Sequence, residues 1–129
     1  LWSTIGDYSR FCMAIENFGE LDGIRILNPE TVGFMTQNHL SPSINRNKPI
    51  HERNRFGLGL GIQPPVMTSK GFKGGGRWTW GGAACTYFFI DHSQNITAVF
   101  ATQLFPFDHG LNEEFHHIVL ESLAQEQMN

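Results

Sequence analysis

Apolar residues recur at helical spacing near the start of the chain. Thr4 and Asp7 form a capping-box pattern, which predicts that a helix begins just after Thr4. The apolar stripe that follows consists of Tyr8, Phe11, Cys12, Ile15 and Phe18. Gly19 is expected at the C′ position, where glycine ends many helices. A turn at 20–23 then leads into a short extended segment at 24–27.

Two further helices are predicted, one in the first third of the chain and one at its end. Asn28 as N-cap and Pro29 at the first helical position open the second helix, which fades near residue 38 and turns Val32 and Met35 inward. Asn112 is expected to cap the last helix, because two glutamates follow it in the first turn. The inner face of that helix is expected to consist of Phe115, Ile118, Val119, Ser122 and Leu123.

Three strands are predicted between the second and last helices. Residues 56–62 alternate glycine with leucine or isoleucine, residues 84–91 contain the run from Tyr87 to Ile90, and residues 96–104 form the hairpin partner of 84–91. Residues 40–55 are predicted to be a loop and residues 66–77 a hairpin connection. The nearly continuous apolarity of the strands indicates that both faces are covered. The order predicts an α+β fold, an antiparallel sheet of about three strands with helices at both ends of the chain.

Composition adds one unusual feature to this arrangement. The chain has 129 residues, of which 40% are hydrophobic and only 16% are charged, against roughly 25% charged in typical domains. Phenylalanine alone accounts for 11 positions. So short a chain with so few charges would have difficulty covering its apolar surface. We therefore expect residues 1–129 to be a single segment of something larger, or to have a partner.

Several classes of function are excluded at this stage. The net charge of −3 argues against a polyanion binder acting by bulk charge. No apolar run approaches the roughly 18 residues of a membrane helix, and the N-terminal residues lack the pattern of a signal peptide. We therefore expect a soluble chain of unspecified compartment that has been trimmed before Leu1. Cys12 and Cys85 are expected to be buried, reduced thiols.

The glycine-rich and histidine-containing stretches do not predict a cofactor or a metal. The Gly57–Gly61 run lacks the third glycine of a dinucleotide loop, and Pro64 follows it instead of a helix. Residues 74–76 lack the Lys-Ser/Thr ending of a P-loop. His116 and His117 are adjacent on a helix and diverge by about 100°, so they cannot chelate one ion, and the six histidines are expected at surfaces or caps. No serine or cysteine stands in the local context of a nucleophile.

A positive segment suggests a binding function as an alternative. Between residues 46 and 77 there are seven basic residues and one acid, Glu52. The basic residues are Arg46, Lys48, Arg53, Arg55, Lys70, Lys73 and Arg77, and Phe56, Phe72, Trp78 and Trp80 are interspersed with them or follow. Segment 46–80 is typical of a non-catalytic module for an anionic ligand or single-stranded nucleic acid. The competing interpretation is a set of solvated loops, which is favoured because the residues do not belong to one element.

The most specific stretch of the sequence is 78–91, which begins Trp78-Thr79-Trp80-Gly81-Gly82 and ends Ile90-Asp91. It resembles the strand and hairpin near the C-terminus of the β-lactamase-related serine hydrolases, which include class C β-lactamases, penicillin-binding proteins and esterases. Residues 102–106 match the family's Gln-x-x-Pro-like stretch, and residues 3–11 resemble its STxxDYxRF helix. Residues 19–23, 27–32 and 35–40 also match, so the resemblance covers nearly the whole chain.

The resemblance implies that the chain is the C-terminal portion of a larger β-lactamase-like domain in a bacterial hydrolase that acts by acyl transfer. The family's nucleophilic Ser, its Lys and its Tyr would lie upstream, so this chain supplies no catalytic nucleophile and should be inactive alone. Its partners would be a small ester or amide substrate and the missing N-terminal portion of the domain, with self-association as another possibility. No cofactor, metal or membrane is implied.

The site residues implied by the resemblance are Trp80, Gly81, Gly82 and Ala83. They stand where the β-lactamases have Lys-Thr-Gly, on the strand that borders the acyl pocket. By position, the Ala83 amide would complete the oxyanion hole. Because tryptophan and glycine supply neither an ammonium nor a hydroxyl, the resemblance favours the esterase-like branch, with Trp80 as an apolar wall. Packing of Trp80 in the core beside Phe88 is the alternative.

Overall fold

The structure is a computed structural model that describes residues 2–45, 55–63 and 76–126. Its three α-helices are α1 (Ile5–Glu16), α2 (Pro29–Met35) and α3 (His109–Glu126). A short hairpin is formed by β1 (Glu20–Leu21) and β2 (Ile24–Arg25). The main sheet contains β3 (Gly61–Gln63), β4 (Arg77–Gly81), β5 (Tyr87–Asp91) and β6 (Ile96–Phe100), antiparallel in the order β3-β4-β5-β6. The predicted α+β fold with helices at both ends is confirmed.

The sheet is covered on both faces, as its apolar strands indicate. Phe88 and Ile90 of β5 belong to the cluster that α1 buries with Cys12 and Ile15, and the rings of Tyr8 and Phe88 meet at 5.3 Å. Since side chains alternate along a strand, Phe89 points the other way and meets α3. Its ring lies 6.2 Å from that of Phe115.

The first helix is closed by a mechanism that the sequence predicts almost completely. The Thr4 hydroxyl accepts a hydrogen bond from the Asp7 amide at 3.1 Å, as the capping box requires. At the other end, Gly19 donates to Ala14 and Phe18 donates to Ile15, the two bonds of a Schellman motif. The left-handed C′ position is therefore Phe18, with φ 51°, and not Gly19 as predicted. Gly19 follows it with φ 89°, where a Cβ would lie 2.2 Å from the Leu27 carbonyl oxygen.

The other helices differ from the predictions at their ends. Asn28 precedes α2 as predicted, but its side chain makes no capping hydrogen bond. The last helix begins at His109, and the Gly110 amide donates to the Asp108 carboxylate at 2.8 Å, so Asp108 and not Asn112 is its cap. The buried residues of α3 are His116, Leu120 and Ala124, while Ile118 is exposed. The predicted inner face is therefore only partly right: Phe115 packs against Phe89, but Ile118 and Ser122 are exposed.

Segment 55–62 forms a tight hairpin where one continuous strand was predicted. The Gly57 amide donates to Leu60 and the Ile62 amide donates to Arg55, so the chain reverses at Leu58-Gly59. Gly59 has φ 82°, a left-handed value that glycine adopts without strain. Only Gly61–Gln63 continues as β3. The alternating glycines therefore permit a turn, which the hydrophobic pattern alone does not reveal.

The main sheet contains one strand more than predicted, and its last two strands are shorter than predicted. The hydrophobic pattern predicts no strand at 77–81, where the structure has β4. Strand β5 begins at Tyr87, and Cys85 lies before it in a loop with φ 58°, not in a strand. Strand β6 ends at Phe100 because its ladder partner Tyr87 is the first residue of β5. Backbone pairing between β5 and β6, rather than the apolar character of the residues, therefore determines where this hairpin begins and ends.

Candidate active site

The four residues named by the resemblance lie at the end of β4 and in the loop that follows. Gly81 pairs with Tyr87 as the last residue pair of the β4–β5 ladder. The loop is then closed by two backbone hydrogen bonds, from the Gly82 amide to the Thr86 carbonyl at 2.9 Å and from the Cys85 amide to the Gly82 carbonyl at 3.1 Å. Trp80 to Ala83 thus form one continuous edge that is fixed by the hairpin.

Gly81 and Gly82 are required by this loop itself. A Cβ on Gly81 would lie 2.8 Å from the Thr86 carbonyl oxygen, and a Cβ on Gly82 would lie 2.5 Å from the Thr86 hydroxyl. Both distances are shorter than an ordinary van der Waals contact. The glycines therefore allow the hairpin to close tightly, and they also leave this edge of the backbone without side chains that would block a ligand.

Ala83 has an exposed position at the tip of the hairpin. Its backbone amide makes no hydrogen bond to another residue in the described part of the chain. A free amide at the end of a strand can donate to an anion or to the oxygen of a polarised carbonyl. This is the chemistry that the resemblance assigns to Ala83, and the local geometry permits it.

Trp80 is not a core residue. Its side chain is 52% exposed, and its ring meets that of Phe56 edge-on at 4.8 Å. It pairs across the ladder with Phe88, so the two side chains share the face of the sheet that α1 covers. The alternative of simple core packing is therefore wrong, and Trp80 presents an apolar ring beside the glycine edge.

Two residues beside the hairpin were not predicted as part of the site. The Asp108 amide donates to the Cys85 sulfur at 3.1 Å, which links the hairpin loop to the start of α3. Asn112 lies behind β4, since a Cβ on Gly81 would be 3.6 Å from its Nδ2. Its Oδ1 is buried without a hydrogen-bond partner among the described residues. The sequence offers no signal for either role, because both depend on where α3 docks.

A buried polar cluster lies on the α3 face of the sheet. Arg77 donates to Nε2 of His116 and to Oε1 of Gln63, each at 2.5 Å. Asp91, the cross-strand partner of Arg77, is fully buried and accepts from the Ser93 hydroxyl at 2.7 Å. Burial, Arg77 and His117 together lower the pKa of His116 to about 4. His116 is therefore a buried neutral acceptor, and the expectation of a surface or capping histidine was wrong for this residue.

The two cysteines are buried and free, as predicted. Burial raises the pKa of the Cys12 thiol to about 12. A thiol that stays protonated at neutral pH is a poor nucleophile, so Cys12 is suited to packing and not to catalysis. Among residues 2–45, 55–63 and 76–126, no three His, Cys, Asp or Glu side chains converge as a metal site would require.

The alternative site in segment 46–80 falls mostly outside the described residues. Arg46, Lys48, Arg53, Lys70, Lys73 and Phe72 all lie there. Arg77 is described, and it is 5% exposed with its guanidinium turned toward α3. Trp78 stacks on His92 at 5.9 Å and is packed against the α1 cluster. These two residues therefore do not contribute to a cationic, aromatic surface.

Comparison with known proteins gives relatives but no family. No family model matches the chain. The chain is 32% identical over 113 residues to Uncharacterized protein MT1414 of Mycobacterium tuberculosis strain CDC 1551 / Oshkosh, and equally to Protein Rv1367c of strain ATCC 25618 / H37Rv. Each match covers 82% of this chain and 28% of the relative. The chain therefore corresponds to little more than a quarter of the length of these relatives.

Within the described ranges, the helices are too short or too polar to span a bilayer.

Proposed function

We propose that this chain is the C-terminal part of a β-lactamase-related serine hydrolase that transfers the acyl group of a small ester or amide. In this proposal Trp80 forms an apolar wall of the acyl pocket, and Gly81 and Gly82 let the substrate approach the backbone. The Ala83 amide donates to the oxyanion that develops on the scissile carbonyl. The nucleophilic Ser, with its Lys and Tyr, belongs to the upstream part of the polypeptide.

The observation that carries the proposal is the free amide of Ala83 at the end of β4. An oxyanion donor must be rigid and must not be engaged elsewhere. The Gly82–Thr86 and Cys85–Gly82 hydrogen bonds supply the rigidity, and the described residues offer no acceptor to the Ala83 amide. Trp80 beside it supplies an apolar contact and no positive charge, which favours an ester over a substrate bound through a carboxylate.

The apolar surface of the chain is further support. Large apolar side chains remain exposed in several parts of the chain, among them Ile24 at 68%, Phe105 at 67% and Ile44 at 57%. Exposed large apolar residues in such number are typical of a surface that another part of a protein covers. The relatives, of which the chain spans 28%, have the additional length that such a cover would need.

The first test uses the chain by itself. It should not hydrolyse p-nitrophenyl esters or nitrocefin, because the nucleophile that the proposal requires lies upstream. It should also remain unlabelled by a fluorophosphonate probe. Hydrolysis accompanied by acylation of one residue per chain would overturn the proposal in this form.

The second test uses the longer polypeptide encoded by the same reading frame. It should contain a Ser-x-x-Lys motif within the couple of hundred residues before Leu1, and its absence would contradict the family assignment. In that polypeptide Ala83→Pro should lower kcat by about 100-fold or more, because proline has no amide hydrogen to donate. Ala83→Ser keeps the amide and is the matched control. Equal activity of the two variants would argue against an oxyanion role.

A further inference from the structure

A half-open cavity of about 400 Å³ lies on the α1 face of the sheet, at some distance in the chain from the Ala83 edge. Its size is within the range of small-molecule sites in proteins. Most of its lining is apolar or aromatic, and the polar side chains cluster at its α1 end. The lining residues that matter here are Tyr8, Phe11, Met35, Leu58 and Phe88, with Ser3 and Asp7 at the polar end.

One wall of the cavity is the 57–60 turn, which a backbone hydrogen bond holds in place. The Leu58 amide donates to the Met35 carbonyl at 2.8 Å, which holds the 57–60 turn against the end of α2. This approach needs glycine at position 57, where a Cβ would lie 2.0 Å from the Met35 oxygen. The glycine-rich run 57–61 thus forms one wall, and Leu58 at its tip is 47% exposed.

The floor of the cavity is aromatic. The Tyr8 ring lies 5.7 Å from that of Phe11 and 5.3 Å from that of Phe88. Phe11 keeps 40% of its surface exposed, although it belongs to the apolar stripe of α1. An exposed ring beside a packed one offers a face against which a second ring or an alkyl chain can pack.

The polar end of the cavity offers hydrogen-bond acceptors and negative charge. One carboxylate oxygen of Asp7 accepts from the Thr4 hydroxyl at 2.9 Å, and the other has no partner within the described ranges. The Ser3 hydroxyl donates its hydrogen to the Thr4 carbonyl at 3.3 Å, so its oxygen can only accept. Among the described residues that line the cavity there is no lysine, arginine or histidine. The nearest basic residue of α1, Arg10, is paired with Asp22 at 2.7 Å.

We propose that this cavity binds a small aryl-alkyl amine, with the ring against Phe11 and Leu58 and the ammonium group at Asp7. The apolar walls accept the ring and its chain, while the carboxylate and the Ser3 oxygen accept hydrogen bonds from the ammonium. An anionic molecule of the same shape would meet a like charge at Asp7. The inference is independent of acyl transfer, because it concerns a different surface and ligands without a scissile bond.

The test measures binding of three probes that differ only in the head group: 4-phenylbutylamine, 4-phenylbutan-1-ol and 4-phenylbutanoate. Calorimetry gives the Kd values, and intrinsic tryptophan fluorescence, to which Trp2 at the cavity rim contributes, gives a second signal. The amine should bind about tenfold more tightly than the carboxylate, as expected for one partly exposed charge interaction. The preference should shrink in high salt.

Two variants locate the site. Asp7→Asn should bring the Kd of the amine close to that of the alcohol, because the amide can still accept from Thr4 but carries no charge. Leu58→Ala should weaken all three probes by several-fold. Ile118→Ala is the matched control, since Ile118 is similarly exposed on α3 at the opposite face of the sheet. Circular dichroism and urea midpoints would verify that each variant is folded.

Each alternative outcome contradicts the proposal. Equal binding of amine and carboxylate would remove the role of Asp7. Loss of binding in Ile118→Ala would place the site elsewhere. Absence of binding by all three probes would show that the cavity is not a site for a small amine. If sedimentation shows a dimer and the probes bind only to the monomer, a second polypeptide covers the cavity instead.

Discussion

Arg77 and His116 lie 39 positions apart in the sequence, and a guanidinium N–H of Arg77 donates to Nε2 of His116 at 2.5 Å in the interior. The histidine must be neutral to accept this hydrogen bond, with its own proton on Nδ1. The contact joins β4 to α3, so one hydrogen bond links the strand that carries the candidate active-site edge to the helix that covers the sheet. Burial, together with the neighbouring charge of Arg77, thus keeps His116 neutral.

The stability of the fold should fall as the pH drops from about 6.5 to about 4. In the folded protein the pKa of His116 is lowered to about 4 by burial, by Arg77 and by His117, while in the unfolded chain it is near the ordinary 6.5. Between these values the unfolded state binds more protons, so acid favours unfolding. The full contribution is present above about pH 6.5, and roughly 2 to 3 kcal/mol should be lost by pH 4. Urea unfolding at a series of pH values would measure it.

His116→Gln provides the control for this pH dependence. Glutamine can accept from Arg77 but does not titrate, so the variant should lack that part of the slope of unfolding free energy against pH. His117→Gln removes an exposed neighbour and should keep most of the slope. Identical slopes for wild type and His116→Gln would mean that other groups cause the acid sensitivity.

Arg77→Met should destabilise the protein by about 3 kcal/mol or more, because it leaves the buried Asp91 carboxylate without its nearby positive charge. Asp91→Asn removes the buried negative charge that Arg77 compensates in the wild type. The double variant should therefore lose less stability than the sum of the two single variants, with a coupling of about 1 to 3 kcal/mol in a double-mutant cycle. Strict additivity would show that Arg77 and Asp91 do not interact energetically.

Gly57→Ala should destabilise the protein by about 2 to 3 kcal/mol, since the new methyl group would meet the backbone carbonyl of Met35 at 2.0 Å. Gly33→Ala within α2 is the matched substitution, because its Cβ would contact nothing within 4 Å. It should stabilise the helix by about 0.5 to 1 kcal/mol. Denaturant midpoints of the two variants should therefore move in opposite directions, and movement in the same direction would contradict the close approach at Gly57.

Asp108→Ala should cost about 1 kcal/mol, because it removes the side chain that accepts from the Gly110 amide at the start of α3. Asn28→Ala at the start of α2 should cost much less, since that side chain makes no capping hydrogen bond. Thermal unfolding of both variants gives the comparison. A larger loss for Asn28→Ala would reverse the assignment of the caps.

Much of the fold could be predicted from local patterns. The capping box at Thr4 and Asp7 correctly places the start of α1, and the apolar run 87–91 lies in the central strand β5. The errors occur where pairing decides. Residues 101–104 were predicted to extend the last strand, but the described chain offers them no ladder partner beyond Tyr87. The hydrophobic pattern does not indicate a strand at 77–81, which forms because β3 and β5 pair with it on either side.

The candidate active site could be predicted only in part. The resemblance identifies the stretch from Trp80 to Ala83, and the structure brings these residues together on one hairpin. Their oxyanion role stays a prediction. Neighbours such as Asp108 and Asn112 could not be found, because helix docking brings them to the hairpin from more than 20 positions away.

The sequence by itself determined the starts of α1 and α2, the central hairpin and the excess of apolar surface, since these follow from residues close together in the chain. Only the tertiary structure decided that Trp80 is exposed, that Arg77 is buried and that the glycines at 57–61 form a turn beside a cavity. The physical reason is the same in each case. Exposure and protonation depend on which surfaces meet across the sheet, and a guanidinium can be buried only where a distant histidine and carboxylate compensate for the water it loses.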